Sequence, residues 1–236
     1  MIRTWILVGC AALGLSACLE VEPAQERPSP QTETEVTKRP GSPQTVADFR
    51  VVVRRVEPVA ERVCRQMRPE LNCDFDIGID TKPNQPPNAY QTYSESGQPI
   101  IRFTPALFKE MRNRDELAFA LSHEAAHHIR GHIEKTQKTA MTGAIIGAVL
   151  GAAVGLDQAG LDVATNLGGT VGARRYSKDF ELQADSLGAR IAERAGYDAL
   201  RGVQYFMSAR DPGDQFLGTH PPNNDRIKVV EQTVGN

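Results

Sequence analysis

The octapeptide Leu121-Ser122-His123-Glu124-Ala125-Ala126-His127-His128 combines residues able to hold a metal and to move a proton. His123 and His127 are four apart; on a helix that spacing rotates them by only about 40°, so both rings leave one face, one turn apart. Two neutral imidazoles so placed hold a Zn2+ ion at about 2.0–2.1 Å. Glu124 is turned by about 100° from His123 and reaches past the ion, where a carboxylate can take a proton from an attacking water. The pattern is HExxH, and the hydrolytic reading needs a third protein ligand from elsewhere. The alternative is a solvated or core helix that happens to carry two histidines.

Such chemistry requires a helix, and the flanking residues supply one. From Asp115 to about Lys135, Leu117, Ala120, Leu121 and Ala125 recur at helical spacing, Asn113 and Glu116 form a capping-box pair, and no Pro or Gly intervenes before Gly131. Candidate third ligands lie on a second helix-forming segment, Tyr176 to Gly188, where Glu181 and Asp185 share a face among Phe180, Ala184 and Leu187. Carboxylates on a semi-apolar face need partners. One metal ligand plus one carboxylate steadying a ligand histidine satisfies both. A surface salt-bridge cluster with Arg174, Arg175 and Arg190 satisfies them equally well, and spacing does not separate the two.

His132 is the rival ligand. Metzincins place a Gly three residues after the second His and a His six after it, but here those positions hold Arg130 and Ile133. Along an ideal helix His132 falls about 180° from His123 and reads as a surface or dipole-facing histidine at the helix C-terminus. His128, about 140° from His123, is likewise read as no ligand.

At 236 residues the chain holds one domain plus extras. A net charge of −2 with scattered Lys and Arg, and a single Trp, speaks against a nucleic-acid partner. Met1-Ile2-Arg3 followed by the apolar run Trp5 to Leu15 reads as a signal peptide over residues 1–17, too short to span a bilayer. Leu15-Ser16-Ala17-Cys18 resembles the bacterial lipobox, which implies that Cys18 becomes the lipid-modified first residue. By the same resemblance Leu19, in place of Asp, points to the outer membrane, facing the periplasm. Residues 18–45, rich in Pro, Glu, Gln, Thr and Ser, form a tether with a root-mean-square span of roughly 30 Å.

Residues 46–236 are the expected catalytic domain. Its apolar spacing predicts an amphipathic helix from Val46 to Met67, bent near Pro58. Cys64 and Cys73 are either bridged, as an oxidising periplasm permits, or buried thiols. Phe75, Ile77 and Ile79 alternate with Asp74, Asp76 and Asp80 as a half-buried strand; Asn88 to Tyr93 and Pro99 to Phe103 complete a small sheet. That sheet either covers the core or offers an edge strand to an extended peptide. Gly143, Gly147, Gly151 and Gly155 recur every fourth residue on one helical face. A tight hairpin, Ala140–Leu156 then Leu161–Val171, is preferred over a membrane-touching or self-associating helix. The fold class is α+β, mainly α, with a three-stranded sheet and a Gly/Ala-rich hairpin.

HEAAHHIRGH, then FELQADSLGA, then THPPNNDRI, in that order, resemble the gluzincin peptidase family that includes HtpX, the CAAX prenyl endopeptidases, the mitochondrial Oma-type proteases and the periplasmic LoiP-type lipoprotein proteases. The resemblance runs from about Asn88 to Ile227 and is greatest to the small lipoprotein branch. It implies a zincin-like domain with one Zn2+ per chain, held by His123, His127 and Glu181, and Glu124 as general base. It implies further that Asp185 orients a ligand histidine, that His220 is an oxyanion donor with Arg226 close behind, and that Asn88-Ala89 lies on the substrate-edge strand. The expected function is a membrane-tethered zinc endopeptidase acting on misfolded or unassembled envelope polypeptides. The competing expectation is a non-catalytic, zinc-stabilised binding or assembly factor for outer-membrane proteins.

Overall fold

The structure, a computed structural model, describes residues 44–175, 177–205 and 223–235. All of these belong to one compact unit, Pro40–Asn236. The signal peptide, Cys18 and His220 lie outside the described residues.

Helix α1, Val46–Met67, has the bounds its apolar spacing predicts. A capping box opens it: the Thr45 hydroxyl accepts the Asp48 N–H at 3.1 Å, and the Asp48 carboxylate accepts the Thr45 N–H at 3.0 Å. Phe49, Val52, Val56, Val59 and Val63 bury one face, and Pro58 lies inside the helix. A disulfide joins Cys64, in the last turn of α1, to Cys73 ahead of the sheet.

The sheet has strands β1 (Asp76–Ile79), β2 (Ala89–Tyr93) and β3 (Pro99–Phe103), in the order β1-β3-β2. β3 runs parallel to β1 and antiparallel to β2, which is left at the edge. The central strand buries Pro99, Ile101 and Phe103 on one face. In β1 all four residues are half-buried, so the expected alternation is seen only weakly.

After the short α2 (Pro105–Glu110), helix α3 (Arg114–Arg130) runs through the core. Leu117, Ala118, Phe119, Leu121, Ala125, Ala126 and Ile129 are all buried, which spreads its apolar residues round most of the circumference. The Asn113 side chain caps it, accepting the Glu116 N–H at 2.9 Å. Glu116 reaches back to the Arg112 N–H rather than to that of Asn113, a shifted capping box. The helix ends five residues earlier than expected because Gly131 adopts the left-handed conformation, φ 65° and ψ 41°. His132 then starts α4 (His132–Ala153), which pairs with α5 (Gln158–Arg175). Helices α6 (Ser177–Arg194), α7 (Ala199–Val203) and α8 (Asn223–Val234) complete the described chain.

The α4–α5 hairpin is longer than the sequence predicts but packs by the expected device. A Cβ at Gly143, Gly147, Gly168 or Gly172 would lie 2.1–2.2 Å from a carbonyl oxygen of the facing helix. Gly155 instead has φ 75° beyond the end of α4, so only three of the four spaced glycines lie in that helix. Met141, Ile145, Val149 and Leu167 are exposed along the hairpin, and none of the described helices is long and apolar enough to cross a membrane. Gly147→Ala must therefore separate the two helices and should destabilise the protein by about 1–3 kcal/mol. Gly169→Ala, whose Cβ meets nothing nearer than 3.5 Å, should be neutral or stabilising by up to about 1 kcal/mol. Urea unfolding of the two variants measures the difference.

Candidate functional site

Three side chains from two helices converge on one point. His123 Nε2 and His127 Nε2, from α3, are 3.0 Å apart. Glu181, from α6, places one carboxylate oxygen 3.4 Å from His123 Nε2 and the other 3.3 Å from His127 Nε2. Ligand atoms around a tetrahedral ion at 2.0–2.1 Å stand about 3.3–3.4 Å from one another, so this triangle fits a small tetrahedral cation. The donor set, two imidazoles and a carboxylate, is the type that takes zinc. Close approach of the helices makes the convergence possible: a Cβ on Gly188 of α6 would lie 2.9 Å from the His123 backbone nitrogen.

Behind His123 lies a buried ion pair. Asp185, with no solvent exposure, accepts from Arg226 Nε at 2.8 Å and Nη2 at 2.7 Å, and its Oδ1 is 2.9 Å from His123 Nδ1. Of the two arrangements left open by the sequence, the described residues show the inward one: Asp185 is fully buried and Glu181 faces both imidazoles. Arg226, on α8, is 5 % exposed and also lies 3.7 Å from Glu181. Burial opposes ionisation of Asp185, but the Arg226 guanidinium outweighs it and holds the carboxyl below its usual range. Burial likewise opposes protonation of His123; hydrogen bonds to Asp185 and Glu181 override it and lift the ring to about 10. Among the described residues, Asp185 and Glu181 both lie beside the Arg226 guanidinium, at 2.7 and 3.7 Å.

His132 departs from the sequence expectation. It is 3 % exposed rather than on the surface, with Nδ1 3.0 Å from His127 Nδ1 and its ring stacked on Phe180 at 4.5 Å and 10°. A helix continued through Gly131 would carry His132 to the opposite face, but the left-handed residue turns the chain back toward His127. Burial and the neighbouring His127 push His132 down to about 3, so the ring is neutral. His128 stays away from the triangle, as expected. Its Nε2 meets the Asn72 carbonyl at 2.8 Å and its Nδ1 meets the Tyr93 hydroxyl at 3.1 Å.

A cavity of about 340 Å3 opens over the triangle, with Glu124, Leu107, Met111 and Ala120 on its walls and Pro87 to Gln91 on its rim. Asn88 and Ala89 both reach this rim, but not as equals. The Asn88 carbonyl accepts the Thr104 N–H and the Asn88 N–H donates to the Thr104 hydroxyl, each at 2.9 Å. Because antiparallel pairs alternate, Ala89 and Gln91 are the residues whose backbone groups point away from β3, toward the outer edge of the described sheet. Gln91 escaped the sequence reading, since strand register sets which residues face outward.

Against known proteins, the model of peptidase family M48 matches residues 48–234. Comparison with curated proteins returns no match.

Removing Arg226 should leave Asp185 buried without its guanidinium. Arg226→Met is expected to lose about 3–5 kcal/mol of stability, measured by chemical denaturation of the metal-free protein.

Proposed function

The chain belongs to peptidase family M48, whose members are zinc metallopeptidases, and on that premise we propose a zinc-dependent endopeptidase anchored in the bacterial envelope that cleaves misfolded or unassembled envelope proteins. The observation that carries the proposal is the His123–His127–Glu181 triangle at the floor of a cleft whose wall includes Glu124 and whose rim is an edge strand.

Zinc, when bound by these three residues, supplies Lewis acidity toward a peptide carbonyl and lowers the pKa of water to about 7. Glu124 takes the proton from the attacking water and delivers it to the leaving amine. Asp185 holds the His123 ring by its Nδ1, and Arg226 holds Asp185. On the family resemblance, His220 donates to the oxygen on which charge develops. The free edge of β2 offers backbone groups to an extended segment. Only a chain free of its own strand pairing can lie there, which favours unfolded or unassembled clients.

Placement in the envelope rests on residues 1–17 as a signal peptide, on Cys18 as the acylated residue and on residues 18–45 as the tether. The Cys64–Cys73 disulfide agrees with an oxidising compartment. A zinc-stabilised assembly factor would use the same ligands and have no need of Glu124. Glu124→Gln should keep one zinc per chain and lower casein cleavage by about 10²–10⁴-fold. Metal analysis beside a digestion assay reads both, and undiminished cleavage would remove Glu124 as the base.

A further inference from the structure

The residue bracing His123 is Asp185, but among the described residues no carboxylate backs His127: its Nδ1 faces His132 Nδ1 at 3.0 Å. Two lone pairs cannot share that separation, so one nitrogen carries the proton. His127 Nε2 points into the triangle, 3.0 Å from His123 Nε2 and 3.3 Å from Glu181, where a metal needs its lone pair. The His127 proton is then on Nδ1 and the acceptor is His132.

We propose that His132 is a positioning residue for the metal centre, accepting the Nδ1–H of His127 and so fixing the tautomer and ring angle that aim His127 Nε2 at the metal. This rests on the reading of His123, His127 and Glu181 as zinc ligands. Stacking on Phe180, which directly precedes Glu181, places the same imidazole against both helices that furnish the triangle. One contact therefore registers His127 and Glu181 to each other. The two ligand histidines are braced unequally, one by a carboxylate and one by a neutral ring that adds no negative charge to the site.

The test is zinc affinity of the full chain, measured by competition with a chromophoric chelator, with thermal unfolding of the metal-free proteins alongside. His132→Phe keeps an aromatic ring for the stack on Phe180 but has no acceptor. His132→Leu and His132→Asn are nearly equal in shape, and only Asn can place an oxygen where Nδ1 stood. Loss of an outer hydrogen-bond partner lowers metal affinity by about 10–100-fold, which is the effect expected for Phe and Leu. The Asn variant should bind zinc close to wild type, and metal-free unfolding should not follow that order. Wild-type affinity in both the Phe and Leu variants, or an Asn variant no tighter than Leu, overturns the inference while the zinc site stands. A wild-type chain that binds no zinc overturns both.

Discussion

A carboxylate sealed from water sets the terms for the whole site. Asp185 has no solvent exposure, and an ion in that position is tolerated only where opposite charge and hydrogen bonds surround it. Arg226 supplies two hydrogen bonds from α8, and His123 closes the third side from α3. Two helices distant in sequence, α3 and α8, are thereby tied to one group on α6. Among the described residues two carboxylates face a single guanidinium there, which leaves a residual negative charge on the side where the imidazole nitrogens converge. The same charge balance that makes the core viable thus makes the cavity floor receptive to a cation.

The edge strand is held to the helix that carries the two histidines by a second polar group. The Tyr93 hydroxyl, at the end of β2, donates to Glu134 of α4 at 2.6 Å and meets His128 of α3. Burial first, and then Glu134, raise the Tyr93 hydroxyl far above its ordinary range, so it stays a donor. His128 in turn engages the Asn72 carbonyl, in the loop closed by the Cys64–Cys73 disulfide. One consequence is that the cleft rim and the helix bearing His123, Glu124 and His127 hold a common register. On the proposed function, an extended chain laid on β2 would meet the triangle at a set place.

Much of this architecture is legible in local sequence pattern. The α1 helix, the three strands and the glycine-spaced hairpin follow from periodicity and turn residues, since each is decided by neighbours a few positions away. The HExxH pair is legible for the same reason: four residues on a helix fix the relative direction of two rings. What escaped depends on contacts across long intervals or on a single backbone dihedral. Spacing could not say whether Glu181 and Asp185 face solvent, because that is decided by the close crossing of α6 over His123 at Gly188. His132 was misplaced by one left-handed glycine, and the free edge groups of β2 depend on its register with β3 and Thr104. Cys64 and Cys73 left two states open, and only their proximity at the end of α1 decides for the bond.

The hairpin is an excursion that leaves the site at His132 and returns at Phe180, where the two rings stack and shut its mouth. From Thr139 onward its helices pack chiefly on each other through glycine, so that stretch of the path between the two rings can lengthen, shorten or change composition without shifting either ring. Along this chain, the interval between the histidine pair and the distant glutamate is therefore a poor guide to how far apart they lie in space.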